Sequence, residues 1–176
     1  MHGRPREAPR AATAAELAKI QQYNKHKEAA LLAYSKRVFS PKTTALTSAI
    51  LALNPDLNTL YNFRKEQVFD LLLNPQRELT PNAIWKAELD LSTSSLKKNP
   101  KAYHAWYHRI WCLQHGLPHI NLQEELELTK LFLSKDNRNF HCWNYRRYLF
   151  RILIGISSLP VQYNIYGDII YDIRSD

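Results

Sequence analysis

Three stretches of this chain repeat one template, and that repetition restricts the fold more than any other feature. They are NPDLNTLYNFRKEQV at 54–68, NPKAYHAWYHRIWCL at 99–113 and DNRNFHCWNYRRYLF at 136–150. Aligned on Arg64, Arg109 and Arg146, they stand 45 and 37 residues apart, the length of a helix-hairpin repeat. A helical pair of that size cannot hide its apolar face alone, so successive pairs must stack. Three positions before each arginine comes an aromatic residue, Tyr61, Trp106 and Trp143, and residues three apart lie side by side on a helix. Each ring is expected to fill the space between stacked hairpins. Each arginine, half buried by its stem, is expected to bond to carboxylates or carbonyls of the neighbouring repeat. The W-x-x-L-G-x-x-Y pattern of tetratricopeptide repeats is absent.

Proline sets the helix boundaries. From Ala14 to Val38 no glycine or proline interrupts a long amphipathic pattern. Ser40-Pro41 and Thr80-Pro81 each read as a cap followed by a first-turn proline. Asn54-Pro55, Asn74-Pro75 and Asn99-Pro100 close the helices before them. Further helices are predicted over Leu57–Leu73, Thr80–Lys98, Ala102–His115, Leu122–Ser134 and Asn139 to about Leu153. Asn121 and Glu124 are placed to start the sixth as a capping box. The expectation is an all-α fold of stacked antiparallel hairpins over residues 13–153, an αα superhelix. Before it lies an irregular, disordered arm (1–12), and after it an atypical tail (154–176).

Composition removes several functions. With four glycines in 176 residues there is no loop to cradle a phosphate. Net charge is +8, but +5 of it falls in residues 1–40 and only +3 in residues 41–176, so a phosphate-tracking stripe and nucleic-acid binding are not expected. Cys112 and Cys142 cannot form a disulfide framework and suit a reducing compartment. No apolar run approaches the ~18 to 20 residues of a membrane span, so a soluble chain with the cytoplasm as its default location is expected. His104 and His108 lie one turn apart, yet no acidic residue completes an obvious metal site, and His115 and His119 share that spacing but have Gly116 and Pro118 breaking the helix between them; surface or interface packing is the expected role.

The repeats resemble the PxNYxxWxxRR repeats of protein prenyltransferase α subunits. The opening Met1-His2-Gly3-Arg4, the run LTSAILALNPDLNTLYNFR and the string FHCWNYRR are similar to the type II branch of that family. The α subunit shared by farnesyltransferase and the type I enzyme reads closer to NYQVWHHRR and NYHAWQHRQW, and stands as the alternative. The resemblance implies a transferase acting as a heterodimer, in which a β subunit binds zinc and the isoprenoid. It would move geranylgeranyl from its diphosphate to C-terminal cysteines of Rab GTPases presented by a Rab escort protein. It also implies that Lys101 and Tyr103 are the α-side catalytic residues, and that Arg138, Asn139 and His141 face the substrate. Phe140 replaces a tyrosine of the family motif and cannot donate a hydrogen bond. His2 is placed in an arm that could reach a partner's metal. This chain itself is expected to bind no cofactor.

After Leu153 the template stops. Seven isoleucines and three tyrosines between 151 and 176 give strand propensity instead, and the family's further hairpins are expected to be missing. A truncated or alternatively spliced end and a lineage-specific one both fit. With later repeats absent, a non-catalytic helical-repeat binding scaffold is the functional alternative to an active subunit.

Overall fold

The computed structural model describes residues 11–74 and 79–155, with the backbone of 162–163 and 169–170. The expected arm therefore falls outside the described residues except for Ala11 and Ala12, and so does most of the tail. Seven α-helices form among the described residues: α1 (Ala14–Ser35), α2 (Pro41–Leu53), α3 (Asn58–Leu73), α4 (Pro81–Lys98), α5 (Tyr103–Gly116), α6 (Leu122–Lys135) and α7 (Phe140–Leu153). A 3₁₀ turn at Leu117–His119 follows α5.

Side-chain oxygens at the starts explain the boundaries. Thr13 and Glu16 make a reciprocal capping box on α1, Ser40 and Thr43 make another on α2, and Thr80 Oγ1 accepts from the Ala83 amide at 3.3 Å. Each satisfies an amide that the first helical turn leaves without a partner. At Asn121 the box takes another form. Its Oδ1 accepts from the Gln123 and Glu124 amides, while Glu124 accepts from the Asn121 side-chain amide rather than its backbone.

One end differs from expectation. α1 stops at Ser35 instead of running to Val38. Arg37 takes φ 50°, and the amides of Arg37 and Val38 donate back to Tyr34 and Ala33 at 3.1 and 2.9 Å. This is the left-handed helix stop usually built on glycine. Here Arg37 is held in that conformation by side-chain bonds, Nη1 to the Tyr34 carbonyl at 2.6 Å and Nε to Glu66 at 2.6 Å.

Three hairpins result, α2–α3, α4–α5 and α6–α7, with α1 packed on α2 and α3. Their second helices follow one another, α3 on α5 and α5 on α7. The three connecting turns are the same device. Oδ1 of Asn54, Asn99 and Asp136 each accepts from the amide two residues on, at 3.4, 3.0 and 3.1 Å, a side-chain mimic of a backbone turn. A continuous core runs through the stack, including Leu51, Leu60, Trp85, Leu113 and Leu149. Gly116 ends α5 directly against Trp85. A Cβ there would lie 2.4 Å from the ring's Cδ2, so the close approach of α4 and α5 needs the missing side chain.

The architecture is all-α. Among the described residues the strand propensity of the tail appears as one short antiparallel ladder, β1 (Gln162–Tyr163) with β2 (Ile169–Ile170), in register Gln162 to Ile170 and Tyr163 to Ile169. No described helix is long and apolar enough to cross a membrane.

Candidate functional site

Two of the three repeat arginines, Arg64 and Arg109, lie between hairpins. Arg64 on α3 donates through Nη1 to the Thr44 carbonyl, Thr47 Oγ1 and Ser48 Oγ of α2. Its Nε and Nη2 edge donates to both carboxylate oxygens of Glu88 on α4. Arg109 repeats this one hairpin on. Its Nη1 serves the Leu89 carbonyl, Ser92 and Thr93, and its other edge meets Glu125 at 2.5 and 2.6 Å. One edge of the guanidinium thus ties its own hairpin and the other clamps the next, the planar two-bond geometry at which arginine excels. Arg146 keeps the first half, donating to the Leu126 carbonyl and Thr129 Oγ1 at 3.1 and 2.6 Å.

Glu88 and Glu125 were not singled out from the sequence. They stand 37 residues apart, the spacing of Arg109 and Arg146, and that coincidence was the available signal. Each also accepts from its own hairpin: Glu88 Oε2 lies 2.9 Å from His108 Nε2, and Glu125 Oε2 is 2.6 Å from the Tyr145 hydroxyl. Burial alone would push the Glu88 carboxyl up, but Arg64 and His108 outweigh it and hold it below the ordinary range. Burial dominates at His108 and lowers it, against the pull of Glu88, so the ring is neutral and donates from Nε2.

Of the aromatic positions, Tyr61 and Trp106 are buried. Trp106 packs on Phe132 and Tyr145 and donates from Nε1 to the Pro100 carbonyl at 2.9 Å. Trp143 makes the equivalent bond to Asn137 at 2.8 Å, yet it is 45% exposed against 3% for Trp106. The expectation that it fills an interhairpin space is corrected, because no described hairpin lies on its outer side.

The remaining candidates gather where α5 and α7 begin. Lys101 is exposed in the turn before α5, with Nζ 3.7 Å from Asp136 Oδ2. Tyr103 opens α5, its ring edge-on to His141 at 5.0 Å and beside Tyr107 at 4.6 Å. His141 also lies against the exposed ring of Phe140. Burial lowers its pKa, with Lys101 adding to the effect. Arg138 stands exposed at the position matching Lys101 one repeat on. Asn139 does not join this surface. It is 2% exposed, its Oδ1 caps α7 at the Cys142 amide, and its Nδ2 donates to the Pro100 carbonyl at 2.9 Å. Both polar ends hold backbone, so its role is architectural and the substrate expectation is corrected.

No three His, Cys, Asp or Glu among the described residues converge to hold a metal. His108 is committed to Glu88, His115 Nδ1 lies 2.9 Å from the Trp111 carbonyl, and His119 Nδ1 lies 2.6 Å from Asn82. Cys112 and Cys142 are both buried, and burial raises both thiols, Cys142 to about 12. His2 lies outside the described residues.

Residues 85–116 and 122–153, the α4–α5 and α6–α7 hairpins, match the protein prenyltransferase alpha subunit repeat. The chain carries two protein prenyltransferase α-subunit repeats. It is 40% identical over 157 residues, 85% of its length, to geranylgeranyl transferase type-2 subunit alpha of Rattus norvegicus. Identity to the Homo sapiens protein of that name is also 40%, over 154 residues. Geranylgeranyl transferase type-2 subunit alpha 1 of Arabidopsis thaliana matches at 36% over 119 residues, 66% of this chain. The chain spans 27% of the length of the two mammalian relatives and 17% of the plant one.

Proposed function

We propose that this chain is an α subunit of a type II protein geranylgeranyltransferase, working with a β subunit on Rab GTPases presented by an escort protein in the cytoplasm. The observation that carries this reading is the 40% identity, over 85% of the chain, to proteins named as that subunit. The surface at the starts of α5 and α7 supports it. In prenyl transfer the acceptor sulfur bonds to the isoprenoid's first carbon while the carbon–oxygen bond to diphosphate breaks, and the diphosphate leaves with the electron pair. Charge builds on the departing oxygens, so a positioned ammonium stabilises the transition state more than the ground state.

Lys101 suits that role. It projects from a turn fixed by the Asn99 side chain, and its pairing with Asp136 at 3.7 Å is exposed. Such a pair is worth at most about 1 kcal/mol, so exchange of Asp136 for a diphosphate oxygen costs little. Tyr103, braced by His141 and Tyr107, would orient the reacting groups, and Arg138 would extend the positive edge. Zinc would make the acceptor cysteine a thiolate at neutral pH. The described residues do not fit such an ion, so the proposal assigns it to the β subunit.

The test is coexpression with a type II β subunit, followed by single-turnover transfer to an escorted Rab protein. The pair should copurify, and Lys101→Ala should slow transfer about ten- to a hundredfold, on the order of 1.4 to 2.7 kcal/mol, without changing assembly. Failure to retain the β subunit would leave a binding scaffold. Transfer to short C-terminal peptides without the escort would instead favour the α subunit shared by farnesyltransferase and the type I enzyme.

A further inference from the structure

Successive connecting turns touch at the same two positions. In register, the turns read Asn54-Pro55-Asp56, Asn99-Pro100-Lys101 and Asp136-Asn137-Arg138. Between the first two, Asp56 Oδ2 accepts from Asn99 Nδ2 at 3.4 Å. Between the second and third the roles are exchanged, with Lys101 Nζ 3.7 Å from Asp136 Oδ2. The turn itself needs a single side-chain oxygen, and Asn54 and Asn99 supply it from an amide. Asp136 supplies it from Oδ1, to the Arg138 amide, and so carries a second, charged oxygen that the turn does not use.

That second oxygen is anchored, whereas the ammonium sits on a flexible stem. The Asp136 amide donates to the Phe132 carbonyl at 3.1 Å, and its carbonyl accepts from the Asn139 amide at 3.2 Å. Asn139 Nδ2 and Trp106 Nε1 both donate to the Pro100 carbonyl at 2.9 Å, which fixes the peptide just before Lys101 against the third turn. Lys101 then reaches out on its four-carbon stem to an exposed head. We propose that Asp136 is a positioning residue for Lys101, a resident counter-ion that competes with a diphosphate for the ammonium and takes it back when the diphosphate leaves. This inference rests on the reading of Lys101 as the ammonium that meets the diphosphate. An exposed pair is weak, so the competition should lower diphosphate affinity by about two- to fivefold without preventing binding.

The test is a titration of the full chain with inorganic pyrophosphate at low ionic strength, where exposed charges are least screened. It follows the NMR signal of the Lys101 ε-methylene in lysine-labelled protein, assigned with Lys101→Ala. Asp136→Asn keeps the Oδ1 acceptor of the turn and removes the charge, so its apparent Kd should be about two- to fivefold lower than that of the unaltered chain. Asp90→Asn is an equal loss of charge on α4, where Asp90 pairs with Lys86, and should leave the value unchanged. In a complex with a β subunit, pyrophosphate should inhibit Asp136→Asn at correspondingly lower concentration, while the single-turnover rate does not fall. Equal affinities with and without the Asp136 charge, the same gain in both carboxylate variants, or no saturable shift at Lys101 overturns the proposal. The transfer rate of Lys101→Ala judges the catalytic reading separately, and the pyrophosphate affinities judge the role of Asp136.

Discussion

Glu88 belongs to α4 yet accepts from α3 through Arg64 and from α5 through His108, so one carboxylate holds three helices. Removing one partner from such a buried cluster costs about 3 to 5 kcal/mol, mostly for the charge left behind. The cluster also makes stability pH-dependent. His108 binds its proton less readily folded than at the ordinary value of 6.5, so on acidification the unfolded chain takes it up first and stability falls below about that pH. Glu88 is depressed below 4.5. Its contribution is present above that value and is lost as pH falls through the folded one. Melting temperature should therefore decline in two stages, and His108→Gln should flatten the first. A wild-type profile level from about pH 5.5 to 7.5, or an equal slope in the variant, would refute this. The arginines of this cluster were legible because they repeat with a ring three residues before them. Their glutamates were less so, since a lone Glu in a charged helix normally reads as solvent-facing. Asn139 was misplaced for a similar reason: a motif assigns a position to a surface, but only the fold shows that both ends of its amide are occupied.

At the level of helices, proline and Asx residues announced nearly every start and stop, because their effects are local and need no tertiary partner. The end of α1 was hidden. Arg37 takes the left-handed conformation while its side chain bonds to Glu66, on another helix, and to the Tyr34 carbonyl. Gly116 ends α5, but its closeness to Trp85 depends on how α4 and α5 cross and left no mark in the local pattern. It leads to an outcome opposite to helix propensity. Alanine is the better helix former by about 1 kcal/mol, yet Gly116→Ala should lower the urea midpoint, with a net cost on the order of 1 to 3 kcal/mol as the indole is displaced. Trp85→Leu should make the second site tolerant, so the double-mutant cycle should show coupling. Additive losses would mean that the ring and the glycine act independently.

For the whole molecule, a stack of hairpins opens most readily where a unit has only one neighbour. The α4–α5 hairpin lies between two others, whereas α6–α7 contacts one among the described residues. Each contains a single buried cysteine, Cys112 and Cys142 respectively. Under native conditions a thiol reagent should therefore modify Cys142 well before Cys112, at rates set by local opening. Equal rates matching global unfolding would show that the stack opens as one unit. The buried thiols thus serve as internal clocks, one in the middle of the array and one near its open side. Their reactivity would time the separate departure of each hairpin in the unaltered protein, with no attached dye.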